Sequence, residues 1–239
     1  MLNGLYSAAS GMLAQQTRMD MLANDLANLN TTGYKQTRIG FRDLLYNSEQ
    51  GMAVGAGSAV VDAGRNDAEG AFQKTGDPLS LAIAGPGFFQ VRRSDGSIAL
   101  TRSGDLTTDA RGDVVTDSGE HLVPPLHIPK GTDLGTLGIA PDGTVSAGLT
   151  KIGKITVVNV TNTAGLQALG DNQFAPTSNS GSPRAITGSA LQQGYLETSN
   201  VDLSQTMVAL IDAQRSYEMD SRAIQNQDQM MAIANQIRQ

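Results

Sequence analysis

The chain has no cysteine, no tryptophan and only two histidines, and aromatic residues make up 4% of its 239 positions. Without thiols there is no disulfide, no thiolate metal site and no cysteine nucleophile. Scarce aromatics leave the core to aliphatic side chains, and 27 glycines point to many tight turns, hence to β structure somewhere in the chain. A basic excess is also missing: 17 Lys and Arg face 23 Asp and Glu, for a net charge of −6. Nucleic-acid binding draws its affinity from cations set against phosphates, so no nucleic-acid partner is expected. No apolar run reaches the roughly 18 residues of a membrane span, so no membrane insertion is expected. The opening "MLNGLYSAASGML" lacks the basic and long apolar regions of a secretory signal. If the protein is exported, another route is expected to carry it.

What is present begins with a sevenfold repeat. Apolar side chains fall at Leu5, Met12, Met19 and Leu26, with Leu22 and Leu29 three residues after the last two. That spacing predicts a helix with a heptad seam, ending between Leu29 and Thr31, with Gly33 suited to a left-handed cap. The only charges among the first thirty residues are Arg18, Asp20 and Asp25. At the other end Leu203, Leu210, Tyr217, Ile224 and Met231 repeat in the same way, and Met207, Ile211, Ala213, Ala234 and Ile237 widen the stripe. A second helix is predicted from Val201 to Ile237, capped by Ser199 or Asn200, with Asp202 near the positive end of its dipole. A helix as poor in charge as the first is expected to pack among several neighbours. An antiparallel pair within one chain covers one face of each, and further copies would cover the rest. Such heterologous contacts propagate into rings or open filaments.

Between the helices, short alternating runs are broken by Asp95-Gly96 and Asp142-Gly143, where Asp and Gly are expected to adopt the positive φ of tight hairpin turns. The predicted class is therefore α+β. Its expected parts are an N-terminal helix (1–33), an extended connection (34–74), a mostly antiparallel β domain (75–160), a second connection (161–198) and a C-terminal helix (199–239).

Catalytic and ligand motifs fare poorly. No G-x-S-x-G nucleophile elbow occurs. His121 and His127 flank "LVPPL", where the prolines work against a regular strand that would align them. Asp109, Asp113, Asp117 and Glu120 have the outline of a calcium loop, but Arg111 and Val114 stand where the loop needs a ligand and a glycine. In "AGPGFFQV", Gly85 and Gly87 lack the partners of a phosphate loop and are expected to turn the chain so that Phe88 enters the core. No enzyme activity, cofactor or metal is expected.

The stretch "SAASGMLAQQTRMDMLANDLANLNTTGYKQTR" resembles the N-terminal signature of the flagellar axial proteins, which build the rod and hook. Its motif residues are Asn24, Leu26, Ala27, Asn28, Asn30, Thr31, Thr32, Gly33, Tyr34 and Lys35. "GYLETSNVDLSQTMVALIDAQRSYEMDSRAI" resembles the C-terminal signature, and "IAGPGFFQVRRSDGSIALTRSGDLTTDARGDVVTDSGEHLVPPLHIP" the central β module. Within the family "FRDLLY", "LETSNV" and "QRSYE" are most similar to the distal-rod branch, with the proximal-rod branch next. The stretch after Tyr46 is shorter than that branch's pattern, and Leu100 and Leu106 replace usual aromatics.

The resemblance implies a structural subunit of the basal-body rod, polymerising as a homo-oligomer into a hollow helical tube that transmits torque to the hook. It further implies export without a cleaved signal through the flagellar export apparatus, a place in the periplasmic space, and contacts with other rod and hook axial proteins and with bushing rings. Leu5, Met12, Met19, Leu22, Leu26 and Leu29, with Leu203, Met207, Leu210, Tyr217, Ile224 and Met231, would form the assembly interface. Two other classes remain open. One is a secreted β-domain binding module multimerised by its helices; the other is a hydrolase using Asp105, Asp109 or Asp113.

Overall fold

The computed structural model describes residues 2–47, 53–148 and 150–237. They form an α+β chain in which two long helices, α1 (Leu2–Ala27) and α2 (Leu203–Ile237), bracket many short antiparallel strands. Two compact units result: one from residues 1–27, 37–63 and 202–239, the other from 28–36 and 64–201.

In the first unit α1 and α2 run antiparallel, with Gly4 against Gln227 and Gly11 against Asp220. A Cβ placed on Gly11 would lie 2.9 Å from Asp220 Oδ2. The deepest positions are small or polar: Ala14 and Asp25 on α1, Thr206 and Ala213 on α2. Small residues at a helix contact let the two backbones approach closely. Strands Thr37–Asn47 and Ala53–Arg65 pair with each other, and Asp25 Oδ1 accepts the Thr37 N–H at 3.2 Å. Gly57, at φ +104°, lies against α1, where a Cβ would strike Ser10 Oγ. That hydroxyl accepts the Ser58 N–H at 3.2 Å and donates to Ser7 O at 2.8 Å. The shortened stretch after Tyr46 includes residues 48–52, which lie outside the described residues.

Both helix boundaries differ from the sequence expectation. Helix α1 ends at Ala27, so Leu29 lies in the following turn and does not extend the helical stripe. Gly33 sits six residues beyond the end, at φ +67°, in a turn closed by the Tyr34 N–H on Thr31 O at 3.3 Å. It therefore caps no helix. Helix α2 is capped by Asp202, whose Oδ1 accepts the Gln205 N–H at 2.9 Å. Ser199 bonds the Val201 N–H instead, and Asn200 is occupied elsewhere, holding Asn66 O and Ala68 O through Nδ2 at 2.8 and 2.9 Å.

The second unit is built on a nine-stranded antiparallel sheet. Its central strand Phe88–Arg92 pairs with Ile98–Thr101 on one side and His121–Leu122 on the other. Alternation along that strand divides the core. Phe89 and Val91 join Leu81, Ile83, Val114 and Val145 in a large aliphatic cluster, while Phe88 turns to the opposite face with Leu100, Val158, Leu166 and Phe174. Phe88 and Phe174 meet edge to face at 6.2 Å. Leu100 and Leu106 are both buried, so aliphatic side chains fill those positions.

Four turns share one construction. Gly96, Gly112, Gly119 and Gly143 each donate N–H to the carbonyl three residues back and have φ between +83° and +96°. Asp95 and Asp142 do not adopt positive φ as expected. Their carboxylates accept the Ser97 and Thr144 amides at 2.8 and 3.0 Å, and glycine alone takes the left-handed position of a bulged turn. Segments 34–74 and 161–198, expected as connections, also carry strands. Tyr195–Glu197 pairs with Phe72–Lys74, and Ala190–Gln193 pairs with Leu81–Ala84.

Candidate functional site

The predicted assembly residues separate by depth. Leu5, Met12, Met19, Leu22 and Leu26 are half-buried along one flank of α1, to the side of the Gly4, Gly11 and Ala14 contact line. Leu29, beyond the helix, is also half-buried. On α2, Leu210, Tyr217, Ile224 and Met231 are half-buried, whereas Leu203 and Met207 are exposed. Ala234 and Ile237 lie outside the residues whose side chains are described.

More apolar surface is exposed than the heptads foretold. Tyr6 and Leu13 on α1 are 69% and 66% exposed, and Val208, Ile211, Met219, Met230 and Ile233 are exposed on α2. At 3.6 residues per turn those five α2 side chains fall within an arc of about 100°, opposite the buried Thr206 and Ala213. Helix α2 thus has two apolar faces, and within this chain α1 covers one.

In the second unit the N-terminal motif runs into a buried cluster of charges. Glu197 Oε1 accepts Lys35 Nζ at 2.6 Å and the Gly70 N–H at 2.9 Å; Oε2 accepts Arg102 Nε at 2.7 Å. Lys35 also donates to Ala68 O at 2.6 Å, and Arg102 to Gly87 O and Ile83 O at 2.9 and 3.2 Å. All three side chains are at least nine-tenths buried. Burial pushes the Glu197 carboxyl up, but the Arg102 charge and the bonds from Lys35, Arg102 and Gly70 outweigh it and hold the group below the ordinary carboxylate range. Burial likewise dominates at Lys35 and lowers it, against the pull of Glu197.

Backbone contacts close the same joint. The Gly33 N–H donates to Glu197 O at 2.8 Å, and a Cβ on Gly33 would sit 2.7 Å from the Arg102 carbonyl carbon. Asn200 Oδ1 accepts the Gln36 N–H at 2.8 Å. Of the remaining motif residues, Asn24, Ala27 and Asn30 are exposed, and Leu26, Asn28, Thr31, Thr32 and Tyr34 are half-buried. In the sequence Glu197 and Arg102 lie inside longer motifs that do not single them out. The sign available was an acid and a base embedded in apolar strand patterns.

Residues tested for chemistry do not converge. Asp109 Oδ1 holds the Arg111 and Asp113 amides at 2.8 Å, spending the supposed calcium ligand on a turn. His127 is exposed with Nδ1 2.9 Å from Asp113 Oδ1, and His121 lies in a two-residue strand. Asp105 is pushed up by burial, then by Asp117 and Asp77. Among the described residues no group of three or more His, Asp or Glu is placed to hold a metal.

Terminal helices with uncovered apolar stripes define a structural subunit that assembles with others. Residues 5–35 match the family model described as flagella basal body rod protein, residues 82–147 that of the flagellar hook protein FlgE/F/G D1 domain, and residues 192–237 the flagellar basal body rod FlgEFG protein C-terminal region. The flagellar basal-body rod protein FlgG of Agrobacterium fabrum is 38% identical over 262 aligned residues, spanning 98% of each chain. That of Borreliella burgdorferi is 36% identical over 263, spanning 100% of this chain and 99% of its own. FlgF of Caulobacter vibrioides is 34% identical over 234, spanning 94% and 93%. The chain belongs to the flagellar basal-body rod protein family. Each matched region contributes one charge to the buried cluster: Lys35, Arg102 and Glu197.

Proposed function

We propose that this chain is a structural subunit of the distal rod of the bacterial flagellum, part of the shaft that carries torque from motor to hook. It is not an enzyme. The observation that carries the assembly reading is the second apolar face of α2, together with Tyr6 and Leu13 on α1. Apolar area in water costs about 25 cal/mol per Å², so this surface favours further helices as neighbours.

In this reading copies of the chain polymerise into a hollow helical tube, joining other rod and hook axial proteins within the basal body. The apolar residues from Leu5 to Leu26 and from Leu203 to Met231 belong to its inner layer, and Leu29 follows in the turn after α1. The subunit reaches the periplasmic space through the flagellar export apparatus without a cleaved signal, and ring proteins surround the finished shaft.

Electron cryotomography of basal bodies from a strain lacking the gene, paired with a swimming assay, tests the reading. The expected result is a rod that stops short but keeps its proximal segment. Loss of the entire rod would move the subunit to the proximal position, and intact rods in swimming cells would overturn the function.

A further inference from the structure

Helix α2 carries two repeats of different length. The heptad Leu203, Leu210, Tyr217, Ile224, Met231 drifts around the helix by about 20° per repeat, and an eleven-residue repeat drifts by about 20° in the opposite sense. Val208, Met219 and Met230 follow the longer period, and Ile211, Arg222 and Ile233 run beside them on the same exposed face. Arg222 therefore interrupts an apolar stripe. On α1 a matching line is formed by Tyr6, Leu13 and Asp20, each seven apart and all exposed. Neither Asp20 nor Arg222 forms an ion pair among the described residues.

We propose that the outer stripe of α2 takes the Tyr6–Leu13–Asp20 line of α1 from a second copy of this chain, with Asp20 set against Arg222. The inference rests on the rod-subunit reading and adds the contact between copies. Copies related by rotation about, and translation along, an axis near the helix direction keep α1 antiparallel to α2. In the antiparallel register that sets Asp20 opposite Arg222, Leu13 falls opposite position 229, beside Met230, and Tyr6 falls opposite position 236, about one turn beyond Ile233. Acid thus meets base, and apolar meets apolar. A different patch is used on each copy, which lets the contact repeat without closing on itself.

The test is a charge exchange in the full-length chain, produced in the strain that lacks the gene and also purified for polymerisation. Asp20→Arg should shorten or abolish the rod and raise the critical concentration for polymerisation about tenfold, the equivalent of about 1.4 kcal/mol. Arg222→Asp should do the same, and the double variant should restore both. Because each side chain is exposed and forms no ion pair among the described residues, the monomer's thermal midpoint should not move. A double variant no better than either single one, or Asp20→Arg rods of normal length, would overturn the register while leaving the rod assignment standing. Intact rods in the gene-deletion strain would overturn that assignment itself.

Discussion

Lys35 and Glu197 stand 162 positions apart in the chain and 2.6 Å apart in space, each almost wholly buried. Taking one partner from a buried ion pair leaves the other charge without compensation, which costs about 3–5 kcal/mol. We expect Glu197→Gln to destabilise the β unit by that order, read as a lower urea midpoint with unchanged slope. Lys35→Met should cost less when Glu197→Gln is already present than in the native chain, because the neutral amide no longer needs the ammonium. Additive losses in that double-mutant cycle would mean that the pair is not coupled.

The same carboxylate predicts the acid limb of the stability profile. Its folded value lies below the ordinary 4.5, so its contribution is complete above that pH and is lost as pH falls through the folded value. Asp95, Asp109 and Asp142, held low first by hydrogen bonds from their own turns, act in the same direction. Lys35 has the same linkage sign at the alkaline end, where stability rises as it loses its proton. Its folded value lies below 10.5, the unfolded chain holds more protons there, and Lys35 itself adds no alkaline loss. Urea midpoints should therefore be flat from neutrality down to about pH 5 and fall below it. Glu197→Gln should flatten that fall.

Gly33 and Gly76 separate backbone strain from steric contact. Both have positive φ, +67° and +80°, but a Cβ at Gly33 meets the Arg102 and Ser103 backbone at 2.7–2.9 Å whereas one at Gly76 meets nothing within 4 Å. Gly76→Ala should cost about 1–2 kcal/mol, the penalty for a left-handed alanine. Gly33→Ala should cost more, and hydrogen exchange should show the excess as faster opening at the Gly33 and Gly70 amides. Equal costs at the two sites would mean that the Arg102 loop yields freely.

Gly11 tests how tightly the helices pack. Alanine gains about 1 kcal/mol over glycine inside a helix, and the neighbour it would crowd is the mobile end of Asp220. Gly11→Ala should therefore leave the thermal midpoint of the assembled polymer within a few degrees of the native one. Gly11→Leu should lower it, since a branched side chain must push the α2 backbone away.

These residues show what a single sequence discloses. Heptads disclosed α2, and the capping residues of "TSNVD" placed its start within two residues. Glycine marked the bulged turns even though the accompanying aspartates were assigned the wrong dihedral. Strands of 161–198 were harder to see, because Gln167–Gly170 and Gln173–Ala175 are too short and polar for alternation to register. Their signal lay in the turn, where Asp171 and Asn172 both take positive φ. The pairing of Lys35, Glu197 and Arg102 was not legible: an acid and a base within apolar strand patterns mark burial, but nothing local names a partner 162 positions away. Nor was the outer stripe of α2. An eleven-residue period is masked when the seven-residue one is counted first.

Ordering each residue costs about 1–2 kcal/mol in backbone entropy, and helices gain most of their stability from packed faces. In a lone chain α2 packs through Thr206, Ala213 and the half-buried heptad, while Val208, Ile211, Met219, Met230 and Ile233 stay in water. The helical content of a verified monomer should thus fall well below the 26 and 35 residues of α1 and α2, and rise on polymerisation. Circular dichroism across the critical concentration measures this. Met219→Asp should remove the rise on assembly while leaving the monomer spectrum unchanged, because Met219 is 64% exposed in the lone chain. Full helix content in a monomer confirmed by sedimentation would show that the α1–α2 pair is self-sufficient, and assembly would then owe nothing to coupled folding.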